Sequence, residues 1–232
     1  MRKYLWLAAV LFLSYSAVLY AAPVGNPTKL SGGSQGLYPG YEGGYVFDRD
    51  LDRGNDELER AQDHYAKISY VFDNPMKVYG LVGGTKFRVT QDGDSYYRTE
   101  FGLGYGGGMK GRLWQNDQGT ALGYDAKYRR SQPDVDQAVL NGSSVRMEEV
   151  TYQDWQTALG ISQKMGGVEP YVGVKYNDVD IDDTGKFPQQ NSEHVIGPFA
   201  GLDIPASKDV VLNVEGHLVT ETALTGGLTM RF

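Results

Sequence analysis

Residues 95–114 read SYYRTEFGLGYGGGMKGRLW, and the parity of this stretch decides how the rest of the chain is read. Odd positions carry Tyr97, Thr99, Phe101, Leu103, Tyr105, Met109 and Leu113, while even positions carry Arg98, Glu100, Gly102, Gly104, Gly106, Gly108, Lys110 and Arg112. An alternation of period two is the pattern of a β-strand whose two faces meet different surroundings. A hairpin folded at the triple glycine is the alternative. Because the parity never slips, it predicts one long tilted strand.

The same alternation extends in both directions. Tyr41, Gly43, Tyr45 and Phe47 oppose Glu42, Gly44, Val46 and Asp48, and Ala66, Ile68, Tyr70 and Phe72 oppose Lys67, Ser69, Val71 and Asp73. Tyr79, Leu81, Phe87 and Val89 are then expected on the apolar face, with Lys86 and Arg88 opposite. Further strands follow around Leu122–Tyr128, Trp155–Ile161, Val172–Tyr176, Ile196–Ile204 and Val210–Leu218, and the last runs through LTGGLTMRF at 224–232. The polar piece 55–63 reads as a short helix. About ten strands result, and short connections after Phe72, Gln115, Met165 and Ile204 alternate with mostly longer ones; the short connection near 220–222 breaks the rule. That asymmetry belongs to an up-and-down barrel inserted in a membrane from one side.

Bulk properties agree. MRKYLWLAAVLFLSYSAVLYAA has a basic start, an apolar run and closing alanines, the order of an export signal, so residues 1–21 are expected to be removed. Residues 22–40, rich in Pro, Gly and Ser, are expected to be a periplasmic lead-in to a barrel over 41–232. There is no cysteine, so no disulfide can staple an exported chain. Losing Arg2 and Lys3 moves the formal net charge from -7 to -9, which argues against a nucleic-acid partner. With 31 glycines, 17 tyrosines and a negative mean hydropathy, a membrane protein must cross as strands, because only alternate residues then meet lipid.

The fold expected is therefore all-β, an antiparallel up-and-down transmembrane β-barrel of about 10 strands, with 8 or 12 as alternatives. Its lumen is expected to be lined by Glu42, Lys67, Lys86, Arg88, Arg98, Glu100, Lys110, Arg112, Asp125, Lys127, Arg129, Asp154, Lys175, Glu215, His217 and Arg231. The glycines between them would leave room for long Arg and Lys side chains. A β-sandwich explains the alternation but not the glycine-rich charged face.

With both ends considered, the chain resembles Gram-negative outer-membrane β-barrels. The resemblance implies that Phe232, last on an alternating strand, is an assembly signal for the barrel-assembly machinery. APVGNP, GYVFDR and VEGHLVTETALTGGLTMRF are similar to parts of the chlamydial major outer membrane porin. The chain lacks that porin's length and cysteines, so neither cross-linking nor a wide trimeric pore carries over. Outer-membrane lipid and lipopolysaccharide are the expected surroundings.

Three histidines bear on chemistry. His64 and His194 are expected near the outer rim and His217 inside near Glu215; a lipid A-modifying or protease-like enzyme with a rim histidine is the alternative function. No motif of those families is present, so no catalytic residue, cofactor or metal is assigned. Asp178, Asp180, Asp182 and Asp183 lack the sixth-position glycine and closing glutamate of an EF-hand loop and read as an acidic solvated loop. Two roles stay open: a plugged structural or surface barrel, and a narrow anion-favouring pore.

Overall fold

The computed structural model describes residues 23–30, 35–52, 56–73, 75–91, 94–183, 189–193, 195–219 and 221–231. Residues 1–21, expected as an export signal, Phe232 and His194 lie outside them.

Ten long strands form the wall: β1 (Gly36–Asp48), β2 (Glu57–Val71), β3 (Met76–Gln91), β5 (Gly102–Gln115), β6 (Thr120–Gln132), β9 (Val150–Gln163), β10 (Glu169–Asp183), β12 (Ile196–Ser207), β13 (Val210–His217) and β14 (Thr222–Met230). Each pairs antiparallel with its neighbours, β14 returns to β1, and the ring closes without a free edge. Four short strands lie outside the ring: β4 (Ser95–Thr99), β7 (Val135–Leu140), β8 (Ser143–Ser144) and β11 (Gln190–Asn191).

Short turns at 72–75, 116–119, 164–168 and 208–209 share one end with both termini of the wall. The described parts of the longer connections, 49–52, 94–101, 133–149 and 189–193, crowd the other, which also holds the short connection between His217 and Thr222 that was expected to break the rule. This is the barrel asymmetry read from the sequence, and it makes the crowded end the outer one.

Several local expectations are corrected. Residues 57–63 are strand, not helix: Ala61 and Asp63 point inward in phase with Tyr65 and Ser69, and an irregularity between Leu58 and Arg60 brings Leu58 inward as well. The stretch 95–114 is two strands, because the chain leaves the wall at Glu100 and Phe101. Residues 95–99 instead extend outward, pairing with the outer end of β3 and with β7. The wall begins at Gly36, five residues before the expected start. Asp178, Asp180 and Asp182 continue strand β10 rather than opening a loop.

The largest correction concerns β3. Its odd residues, Lys77, Tyr79, Leu81, Thr85, Phe87 and Val89, are buried inside, while Val82 on the even face is 62% exposed toward lipid. The apolar-outside rule fails here because the outer part of the lumen is itself apolar. Phe87 and Val89 join Val46, Leu51, Leu58, Tyr97, Val150, Tyr152, Val179 and Ile181 in one cluster, against which Val135, Leu140 and Val145 pack. On the other strands, outward residues such as Leu37, Ile68, Leu103, Trp155, Val172 and Ile196 form the expected apolar belt.

Candidate functional site in the lumen

Below the apolar cap the interior is a paired polar core. Arg129 reaches Asp63 at 2.7 Å and also pairs with Asp154. Glu42 is bridged by Lys67 and Lys127, both at 2.6 Å, and Lys110 lies 3.2 Å from Asp125. Tyr79 donates its hydroxyl to Asp125 at 2.9 Å. Such pairing is required, because a charge left alone in a water-poor interior costs several kcal/mol. Two glycines show how the sequence accommodates it. A Cβ on Gly106 would stand 2.9 Å from Arg129 Cγ, so this glycine leaves the expected room for an Arg, and a Cβ on Gly108 would stand 2.5 Å from the Tyr79 hydroxyl, so that one leaves room for a tyrosine.

Closer to the outer end, Lys175 and Arg49 converge on Glu221, which lies on the connection between β13 and β14. Burial alone would push the Glu221 carboxyl up; Arg49 and Lys175 more than offset this and hold it well below the usual carboxylate range. His217 stands 2.7 Å from Glu215 and 3.4 Å from Glu221 without an in-line hydrogen bond, and Tyr171 donates to Glu215 at 2.9 Å.

The periplasmic end is filled by the chain itself. Residues 23–30, expected as a lead-in outside the barrel, lie within it, with Val24, Asn26, Thr28 and Leu30 buried. The wall's cations grip the carbonyls of this segment: Lys127 donates to Pro23 at 2.6 Å, Lys110 to Val24 and Asn26, Lys77 to Lys29 and Arg112 to Thr28. Carboxylates take its donors. Glu215 accepts from the Val24 amide at 2.8 Å, and Asn26 donates to Asp203 at 2.9 Å and Glu169 at 3.2 Å. A turn over 26–29, closed by Thr28 N–H on the Asn26 side chain, gives the plug its shape. On the wall behind it a Cβ at Gly123 would fall 2.6 Å from the Pro27 carbonyl, so a larger residue there would exclude the plug.

Of the expected lumen residues, Glu42, Lys67, Lys110, Arg112, Asp125, Lys127, Arg129, Asp154, Lys175, Glu215 and His217 point inward. Arg231 is exposed at the periplasmic mouth, beside a cavity of about 100 Å³ that Lys208 and Asp209 also line. Lys86, Arg88, Arg98 and Glu100 are not luminal. Lys86 and Arg88 follow β3's inverted face; Arg98 and Glu100 lie on the segment that has left the wall. Sequence reading missed Arg49, Asp63, Glu221 and the plug contacts. Asp63 was legible by continuing the parity of Lys67 and Ser69 back two steps, whereas Arg49 and Glu221 sit on connections where parity carries no signal.

His64 faces outward on β2, bonded to the Tyr41 hydroxyl with the Phe101 ring 5.3 Å away. Among the described residues no group of three or more His, Asp or Glu side chains is placed to hold a metal ion.

No family model matches the sequence, and no curated protein does, so the terminal likeness to the chlamydial porin is not shown. Solved structures do match the fold. The β domain of the Bordetella autotransporter BrkA aligns with a TM-score of 0.54 at 11% identity, covering 84% of this chain and 99% of that one. The translocator domain of NalP from Neisseria meningitidis gives 0.51 at 13% identity over 86% of this chain and 89% of that one. The transport unit of AIDA-I from Escherichia coli gives 0.51 at 10% identity over 86% and 90%. At these identities the fold alone is shared: the chain has the closed architecture of outer-membrane β-barrels.

Proposed function

We propose that the protein is exported by residues 1–21, assembled in the outer membrane with Phe232 as part of its assembly signal, and serves there as a sealed surface barrel. In this reading its work is done by its walls and outer connections, and solutes do not pass. The observation that carries the reading is the double closure of the lumen, by an apolar side-chain cluster at the outer end and by residues 23–30 at the periplasmic end. A narrow barrel fills its interior with side chains. Here a segment of the chain is added to that filling.

Refolded full chain in a planar bilayer tests this directly. The sealed barrel is expected to be electrically silent while still showing heat-modifiable migration in gels. Steady anion-selective steps from the unaltered protein would instead establish an open narrow pore and overturn the reading.

A further inference from the structure

The residues that the inverted face of β3 expels from the lumen form a cationic row on the outside of the barrel. Arg60 of β2 stands opposite Arg88 of β3, and Arg88 opposite Arg98 of β4, so three guanidinium groups occupy adjacent positions across three paired strands. Like charges directly opposite on a sheet repel unless something between them carries the opposite sign. The protein supplies part of this: half-buried Arg88 meets half-buried Glu59 at 3.0 Å, and exposed Arg98 pairs with exposed Asp136, with Glu100 nearby on the chain. An exposed pair such as Arg98 with Asp136 is weak and leaves its cation accessible. Arg60 is exposed and no ion pair engages it among the described residues. Lys86 adds a fourth cation one step below, its Nζ 4.8 Å from the centre of the Phe101 ring, and Arg88 stacks at the same distance on Tyr96.

The height of the row selects its partner. On β3 nine residues, Met76 to Gly84, precede the first outward-facing cation, Lys86, which matches the roughly 9–11 residues that a tilted strand needs to cross the hydrocarbon. Lys86 therefore stands at the outer boundary of the lipid and Arg88 immediately beyond it. Below them Val82, Leu103 and Tyr105 are exposed to acyl chains at 62%, 76% and 55%. Cations over aromatic rings, directly above an apolar wall, match a molecule with phosphate above and acyl chains below.

We propose that Arg60, Lys86, Arg88 and Arg98 form a binding site for the phosphate groups of an anionic outer-leaflet glycolipid, with lipid A as the chemical class. This rests on the reading of the protein as an outer-membrane barrel with its crowded end outward.

The experiment compares thermal loss of the heat-modifiable form for full chain refolded into phosphatidylcholine vesicles, with and without diphosphoryl lipid A, and measures lipid A retained on the barrel after extraction. The glycolipid is expected to raise the melting midpoint, and less so in high salt. Each cation removed should weaken lipid enrichment about fivefold, the effect of about 1 kcal/mol per cation near an anionic surface. The R60Q/R88Q/R98Q variant should lose the shift, R98Q alone should lose part of it, and K208Q at the opposite end should keep it. An equal shift in wild type and triple variant, no shift in wild type, or the same shift from inorganic phosphate alone would overturn the site. Should the triple variant not fold, R98Q and the wild-type salt series carry the test. Failure of the wild type to insert in plain phosphatidylcholine would count against the barrel reading itself, a separate result.

Discussion

The two ends of the lumen are closed by opposite means. At the outer end the seal is apolar and built from side chains of the wall strands, of β4 and β7, and of the connections at Leu51 and Met147, with Phe87 5.5 Å from Tyr152 and edge-on to Tyr97 at 6.1 Å. At the periplasmic end it is polar and made by a separate piece of chain, held by cations on its carbonyls and carboxylates on its donors. Most of the first seal cannot be removed without taking apart the barrel, because Val46, Leu58, Phe87, Val89, Val150, Tyr152, Val179 and Ile181 belong to the wall strands themselves. The second is a separate segment of chain, so its removal is expected to leave the wall intact and to uncover groups that water can solvate from the periplasmic mouth.

The largest effect is expected between the two seals. Arg129→Met leaves Asp63 and Asp154 buried without their shared cation, a loss of about 3–5 kcal/mol. The temperature at which the heat-modifiable form disappears should fall more than for any variant below. Phe87→Ala empties the centre of the outer cap and should cost about 3 kcal/mol or more by the same assay. An unchanged melting temperature there would mean that the cap is not part of the barrel's stability.

Expelling the plug sharpens the contrast further. Gly123→Val places side-chain atoms where Pro27 lies, so residues 23–30 should become accessible to added protease while the wall stays folded and the bilayer stays silent, because the cap still closes the outer end. Conductance from this variant would show that the cap alone does not seal. Asn26→Ala removes the donor that Asp203 and Glu169 share and should cost about 1–2 kcal/mol, seen as faster proteolysis of the same segment.

The smallest effect is in pH. At the outer end of β2, beyond the lipid-facing belt, a hydrogen bond with Asp48, and after it burial, push the Glu57 carboxyl up to about 7. A carboxyl raised in the folded state keeps a proton that the unfolded chain gives up, so its contribution is present below the ordinary carboxylate range and is lost as pH rises through about 7. The melting midpoint should therefore drop between mildly acidic and mildly basic buffer by more in wild type than in Glu57→Gln. Equal drops would remove Glu57 from the account.

Much of the wall was legible because lipid imposes a rule on every second residue: the faces of β1, β2, β6, β9, β10, β12, β13 and β14 follow their apolar parity. The rule failed where the inside is also apolar. On β3 both parities carry hydrophobic side chains, Val78 and Val82 against Leu81, Phe87 and Val89, and no strand considered alone indicates which set faces lipid. The same ambiguity hid the exit of 95–99 from the wall, since Tyr97 and Thr99 keep the parity of Phe101 while facing the cap instead of the bilayer. The candidate site was half legible. Lys110, Lys127, Asp125 and Glu215 on regular strands were found, Asp63, Lys77, Glu169 and Asp203 on such strands were not, and Arg49, Glu221 and the plug depend on segments whose path no periodicity describes.

The sequence by itself determined that this chain is a closed antiparallel barrel of about ten strands with a charged interior, because strand periodicity and the alternation of connection lengths are local and repeated along the whole chain. Tertiary structure alone decided that residues 23–30 enter the lumen, that an apolar cap closes its outer end, and that Lys86, Arg88 and Arg98 face outward. Those outcomes turn on which surfaces meet across the barrel, over separations of up to 191 residues in the case of Val24 and Glu215. Each apolar face is buried by whichever partner the closed ring brings to it.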